Sequence, residues 1–88
     1  MNEQEIEAHL ATQFQAPVKS VRWVNDARFH IAAFVLDTSG VIKDHPEVHV
    51  GIHVEKGMKD DDTKFQLGHA VESANQVIEV LKAEKGAV

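Results

Sequence analysis

Apolar and polar positions in this chain repeat with two different periods, and the switches between them divide it into five elements. Near the start, Ile6, Leu10 and Phe14 recur at i, i+4 and i+8, the stripe of an amphipathic helix, with Glu3, Glu5 and Glu7 crowding its first turns. The spacing predicts a helix over residues 3–15, closed by Pro17. From Val18 the period falls to two. Residues 18–24 are expected as a short strand with Val21 and Trp23 on one side and Ser20 and Arg22 on the other. Asn25-Asp26-Ala27 supplies turn chemistry, and residues 28–37, the most apolar run, are expected as a second strand. Thr38-Ser39-Gly40 breaks it, and a charged loop runs to Pro46. The stretch HPEVHVGIHVE from His45 to Glu55 opens a third strand that ends at Gly57. In it Val48, Val50, Ile52 and Val54 alternate with Glu47, His49, Gly51, His53 and Glu55.

The helical period then returns. Leu67, Ala70, Val71, Ala74, Val77, Ile78 and Leu81 form a broad apolar stripe, so a helix is expected over residues 64–85, with Lys82 and Lys85 where the helix dipole favours cations. Thr63 and Gln66 fit a capping box, and Asp60-Asp61-Asp62 just ahead read as acids favouring the positive helix end rather than as a metal cluster. The order is α-β-β-β-α. It predicts a single globular α+β domain over residues 1–88: a two-layer sandwich with a three-stranded antiparallel meander sheet and both helices on one face.

Composition narrows the classes. At 88 residues the chain has room for one modest core, and 43% hydrophobic with 26% charged residues is ordinary for a globular domain. No apolar run approaches the ~20 residues of a membrane span. The acidic start MNEQEIEAHL lacks the basic n-region of a secretory signal, so a cytoplasmic, membrane-free setting is expected. There is no cysteine, which excludes disulfides, thiol catalysis and thiolate metal sites. A net charge of −5 argues against a nucleic-acid binder built on phosphate neutralisation, and suits a protein partner, a basic one included.

Three of the six histidines lie in HPEVHVGIHVE. His49 and His53 share one strand face, but four residues at ~3.3 Å each put their Cα atoms about 13 Å apart. Two ligands of one zinc must each place an atom within about 2.1 Å of it. The pair therefore cannot share a metal within one chain, and no cofactor or metal site is expected. A metal would need one of them with a ligand such as His30 from a neighbouring strand, or one from another subunit. A catalytic histidine needs an orienting acid and a nucleophile in reach. Ser20, Ser39 and Ser73 sit in no serine motif, so no catalytic residue is assigned and a non-enzymatic protein is expected. His9 and His69 are expected at the boundaries of the helical stripes.

Two family resemblances bear on function. Phe34-Val35-Leu36-Asp37-Thr38-Ser39-Gly40 resembles the active-site approach of retroviral-type aspartic proteases, apolar residues followed by Asp-Thr-Gly. Ser39 stands between Thr38 and Gly40, so the tight turn of that motif is not met. The family is also nearly all-β, whereas the expected helices take more than a third of this chain. Residues 37–40 are expected as a turn. The helix, three strands, helix order resembles the double-stranded-RNA-binding domain, across almost the whole chain but with none of its motifs. Where that family opens its second helix with lysines that grip phosphates, this chain has Lys59-Asp60-Asp61-Asp62-Thr63-Lys64. Three acids against two bases predict no nucleic-acid binding there.

One surface needs explaining. With Val48, Val50, Ile52 and Val54 toward the helices, Phe29, Ile31, Ala33 and Val35 are expected beside them, and a short turn of odd length would set Trp23 opposite Phe29. Trp23 is then expected to be largely buried. The other face would carry Ala32, Phe34 and Leu36, rimmed by His30, His49, His53 and Arg22. Swapping the two rows of the central strand still leaves an apolar row on the open side. An apolar centre with a polar rim marks an interaction surface, unless the 38–46 loop folds over it. The expected use is a homodimer, weakened as protonation charges the histidines, or a protein partner; the alternatives are a metal or a small ligand held by the histidine-lined face, and a nucleic-acid module.

Overall fold

The computed structural model describes residues 1–88 as α1 (Glu3–Ala11), β1 (Val18–Val24), β2 (Phe29–Asp37), β3 (Glu47–Glu55) and α2 (Asp60–Lys85). The strands form one open antiparallel sheet in the order β1-β2-β3. This is the α-β-β-β-α order and α+β class that the alternating periods predict. β3 is shorter than the expected span, beginning after His45-Pro46 and ending before Gly57, whose φ of 84° turns the chain toward α2.

The helix ends have local causes. Asn2 accepts from the Glu5 backbone N–H at 2.8 Å while the Glu5 carboxylate accepts from the Asn2 N–H at 2.9 Å, a capping box that starts α1. The helix stops at Ala11 rather than residue 15. There the Thr12 hydroxyl donates to the His9 carbonyl, and Asn75 of α2 claims the next backbone groups. Asn75 accepts from the Gln15 N–H at 2.9 Å and donates to the Gln13 carbonyl at 3.0 Å. Phe14 is buried, as its place in the stripe suggests, but on a turn. α2 starts earlier than expected. Its first turn is Asp60, Asp61 and Asp62, and its N-cap, Lys59, makes no side-chain cap. Thr63 is no cap either: its buried hydroxyl donates back to the Lys59 carbonyl at 3.2 Å, so the expected box with Gln66 does not form.

The main correction concerns β2. Trp23 pairs with Ala32, not Phe29, and Val21 pairs with Phe34. Four residues, Asn25 to Arg28, connect β1 to β2, and the Asp26 carboxylate takes the N–H groups of both Arg28 and Phe29 at 2.9 Å. An even connection of this kind sets odd positions of β1 opposite even positions of β2. The even row of β2 therefore joins the even row of β3: His30 pairs with Val54, Ala32 with Ile52, Phe34 with Val50 and Leu36 with Val48. Ala32, Phe34 and Leu36, expected on the open face, are instead buried in one cluster with Ile6 and Leu10 of α1 and Leu67, Ala74 and Ile78 of α2. The Phe34 ring meets Phe14 edge-on at 5.9 Å and Trp23 at 6.4 Å. Trp23 is half-buried rather than largely buried, its indole N–H donating to the Glu7 carboxylate at 2.5 Å.

Candidate functional site

The row swap rebuilds the open face. Its centre is Phe29, Ile31, Ala33 and Val35 of β2, with Val24 of β1 alongside, and none of these is buried. Phe29, Ile31 and Val35 are half-buried; Ala33 and Val24 are exposed. Ala33 has Arg22 on one side and Gly51 on the other, so the middle of the face is a shallow strip of small residues between the larger Ile31 and Val35. Of the residues expected here, Arg22, His49 and His53 are on this face and exposed. His30 is not: it lies in the even row, edge-on to Trp23 at 6.3 Å, with its Nδ1 buried and lacking a hydrogen-bond partner.

The rim is ordered by its own charges. The Lys19 ammonium donates to the Glu47 carboxylate at 2.6 Å, and the second Glu47 oxygen lies 3.3 Å from His49 Nε2. The Lys19 hydrogen bond, with a smaller contribution from His49, holds the Glu47 carboxyl below its usual range and in turn raises Lys19. At the other end, Arg28 sits over the Phe29 ring at 5.7 Å, and that ring stacks at 4.4 Å on His53. The 38–46 loop leaves this face open. Its Thr38 and Ile42 are fully buried, and Ile42 belongs to the same core cluster as both helices.

Two further shifted groups serve turns. The Arg28 N–H, then the Phe29 N–H, lower the Asp26 carboxyl; the Ser39 hydroxyl, then its N–H, lower that of Asp37. A carboxyl whose folded pKa is depressed stabilises the fold above its unfolded pKa, near ~3.9, and loses that stabilisation as pH falls through the folded value. Asn at position 26 can still accept both N–H groups but cannot titrate. Asp26→Asn should therefore give a shallower loss of melting temperature between about pH 5 and pH 2 than the parent shows. Superimposable acid limbs would mean that the Asp26 charge does not stabilise this turn.

No single copy brings three metal-ligating side chains together, and no helix is long and apolar enough to cross a membrane. No family model, curated protein or solved structure matches the chain. Sequence reasoning placed the apolar surface on the correct strand but on the wrong row. The row follows from the four residues between Val24 and Phe29, a number that is fixed only once both strand ends are known.

Proposed function

We propose that this protein is a non-enzymatic interaction module whose open sheet face takes an amphipathic helical segment of another protein. The observation that carries this reading is the row Phe29, Ile31, Ala33 and Val35, left uncovered by both helices and by the 38–46 loop. An open antiparallel face is ordinarily polar, so an apolar row bounded by charge is the pattern of a docking surface. The row is one strand wide, and its low middle at Ala33 and Gly51 accepts a ridge rather than a flat sheet. Its rim chooses the ridge's flanks. Arg22 is a cation on the β1 side, while on the β3 side Glu47 is taken by Lys19 and Glu55 makes no ion pair, and the whole chain carries −5. A helix with an apolar stripe and a basic flank toward β3 meets both conditions.

The shifted side chains support a non-enzymatic role, because Lys19, Glu47, Asp26 and Asp37 all hold one another or a turn. The test is a titration followed by amide chemical shifts, using a helical peptide of leucine and lysine as probe. Shifts should concentrate at Ile31, Ala33, Val35, Gly51 and His53, and Ala33→Arg should weaken binding on the order of tenfold or more. A leucine–glutamate peptide should bind far more weakly. Equal binding of the two peptides, or an indifferent Ala33→Arg, would defeat the reading. So would concentration-dependent shifts of Ile31, Ala33 and Val35 in metal-free protein without peptide, which would give the face to a second copy.

A further inference from the structure

The strand β3 has β2 on one side and no strand on the other. Its even residues point their backbone groups at β2, as the flanking bonds Lys56 N–H to Arg28 carbonyl at 2.8 Å and Thr38 N–H to Pro46 carbonyl at 2.9 Å show. The backbone groups of Glu47, His49, Gly51, His53 and Glu55 therefore point to the free edge. A regular nine-residue strand with neither bulge nor proline on that edge is a template for another strand. A groove of about 430 Å³ runs beside it, lined by every residue from Val48 to Val54 and by one flank of α2 including His69, Ser73 and Val77. Val77 is 46% exposed, and Val80, one turn along, is 49% exposed.

The sequence of this edge reads the same in both directions but for Val50 and Ile52, which exchange one branched aliphatic for another. About Gly51, Val50 mirrors Ile52, His49 mirrors His53, Val48 mirrors Val54 and Glu47 mirrors Glu55. Two copies paired antiparallel across Gly51 use the full length of both strands, whereas a slip of two residues loses a pair at one end. Gly51 itself has nothing within 4 Å of the place a Cβ would occupy, so no packing within one copy requires a glycine there. Its missing side chain leaves the sheet face clear at the centre of the pairing, between the two flanking histidine pairs.

This register sets His49 opposite the partner's His53, with Cα atoms about 5.5 Å apart. Glu47 lies opposite the partner's Glu55. The two facing carboxylates repel unless a cation lies between them, and the two facing imidazoles offer it nitrogen ligands. Ligand atoms at ~2.1 Å around a tetrahedral zinc are about 3.4 Å apart, and the free Glu47 oxygen lies 3.3 Å from His49 Nε2. Lys19 holds the other Glu47 oxygen, fixing the carboxylate as a one-oxygen ligand. We propose that β3 pairs with β3 of a second copy across Gly51, and that this pairing builds two zinc-type sites, each from Glu47 and His49 of one copy and His53 and Glu55 of the other. Neither copy holds a site alone, so metal and pairing require each other. The two-fold axis is normal to the sheet, and both open faces look the same way on one six-stranded sheet.

The inference shares Glu47, Gly51, His53 and Glu55 with the helix-docking reading, and Ala33→Arg separates the two because it alters the middle of the face and leaves the edge backbone intact. Sedimentation velocity on chelator-treated protein, with and without one equivalent of zinc, tests it. Zinc should double the sedimenting mass of the parent and of Ala33→Arg, with about one ion bound per chain. Removing a ligand with His53→Gln should raise the zinc needed on the order of tenfold or more. Gly51→Pro removes only an edge-facing N–H and should remain a single copy with zinc while keeping the parent's far-ultraviolet spectrum. If that variant does not fold, the exposed His53→Gln change decides alone. Unchanged mass with zinc, equal zinc response of parent and His53→Gln, or zinc-driven doubling of folded Gly51→Pro would each overturn the proposal.

Discussion

Phe34→Glu should leave this protein unfolded at 25 °C, while Ala33→Arg, one residue away, should leave it folded. The Phe34 side chain is fully buried between Phe14, Trp23 and the even row of β3. Truncating such a ring to alanine costs about 3–5 kcal/mol in cores of this kind. A glutamate adds a carboxylate with no cation beside it, a burial penalty of several kcal/mol that protonation only partly relieves. Domains of this size have about 5–15 kcal/mol in total, and small ones lie toward the lower end. Ala33 faces solvent on the other side of the same strand, where a charged side chain can extend into water. Its replacement should cost at most about 1 kcal/mol, a shift of a few degrees in melting temperature. Circular dichroism on the two variants decides which row is inside. A folded Phe34→Glu would return the even row to the surface and dissolve both the docking face and the core described above.

The same two residues show what could be read from the sequence and what could not. Element order and type follow from periodicity alone: stripes at 3.6 for α1 and α2, alternation at 2 for β1 and β3. Val21 and Trp23 of β1 and the even positions of β3 face inward as predicted, since polar residues mark the opposite row in each. β2 offers two apolar rows. With Phe29, Ile31, Ala33 and Val35 against His30, Ala32, Phe34 and Leu36, hydrophobicity does not choose, and a change of one residue in connection length turns every side chain over. Asp26, by bonding two successive N–H groups, settles that parity through geometry that composition does not encode. The end of α1 was hidden for a related reason: Asn75 acts on Gln13 and Gln15 from 60 residues away. His49, His53 and Arg22 could be placed because they lie on strands where polar residues mark the outward row. His30 could not.

Ile42→Ala should destabilise the protein by about 2–5 kcal/mol, although the residue sits in a loop that reads as charged and solvent-facing. Ile42 is fully buried and belongs to the core cluster with Leu36, Val48 and Ile78. The loop delivers it there through a tight set of bonds. The Val41 and Ile42 N–H groups both donate to the Thr38 carbonyl, the buried Thr38 hydroxyl donates to the His45 carbonyl, and Asp44 takes a left-handed φ of 56°. The segment after α2 then pairs with it, Lys43 N–H to the Gly86 carbonyl at 2.8 Å and Val88 N–H to the Val41 carbonyl at 3.1 Å. Losing the side chain leaves a cavity that these bonds prevent from collapsing, so the cost belongs in the upper part of the range. Urea unfolding should show a lower midpoint with an unchanged slope, and Val24→Ala on the open face should show almost no shift. The adjacent pair Val41-Ile42 is the only apolar break in the stretch from Thr38 to Pro46, and it is the signal from which this anchor could have been read. If Ile42→Ala instead costs as little as Val24→Ala, the loop is not pinned to the core. It would then be free to swing across Phe29, Ile31 and Val35, and the uncovered row on which the docking face depends would have a cover within the chain itself.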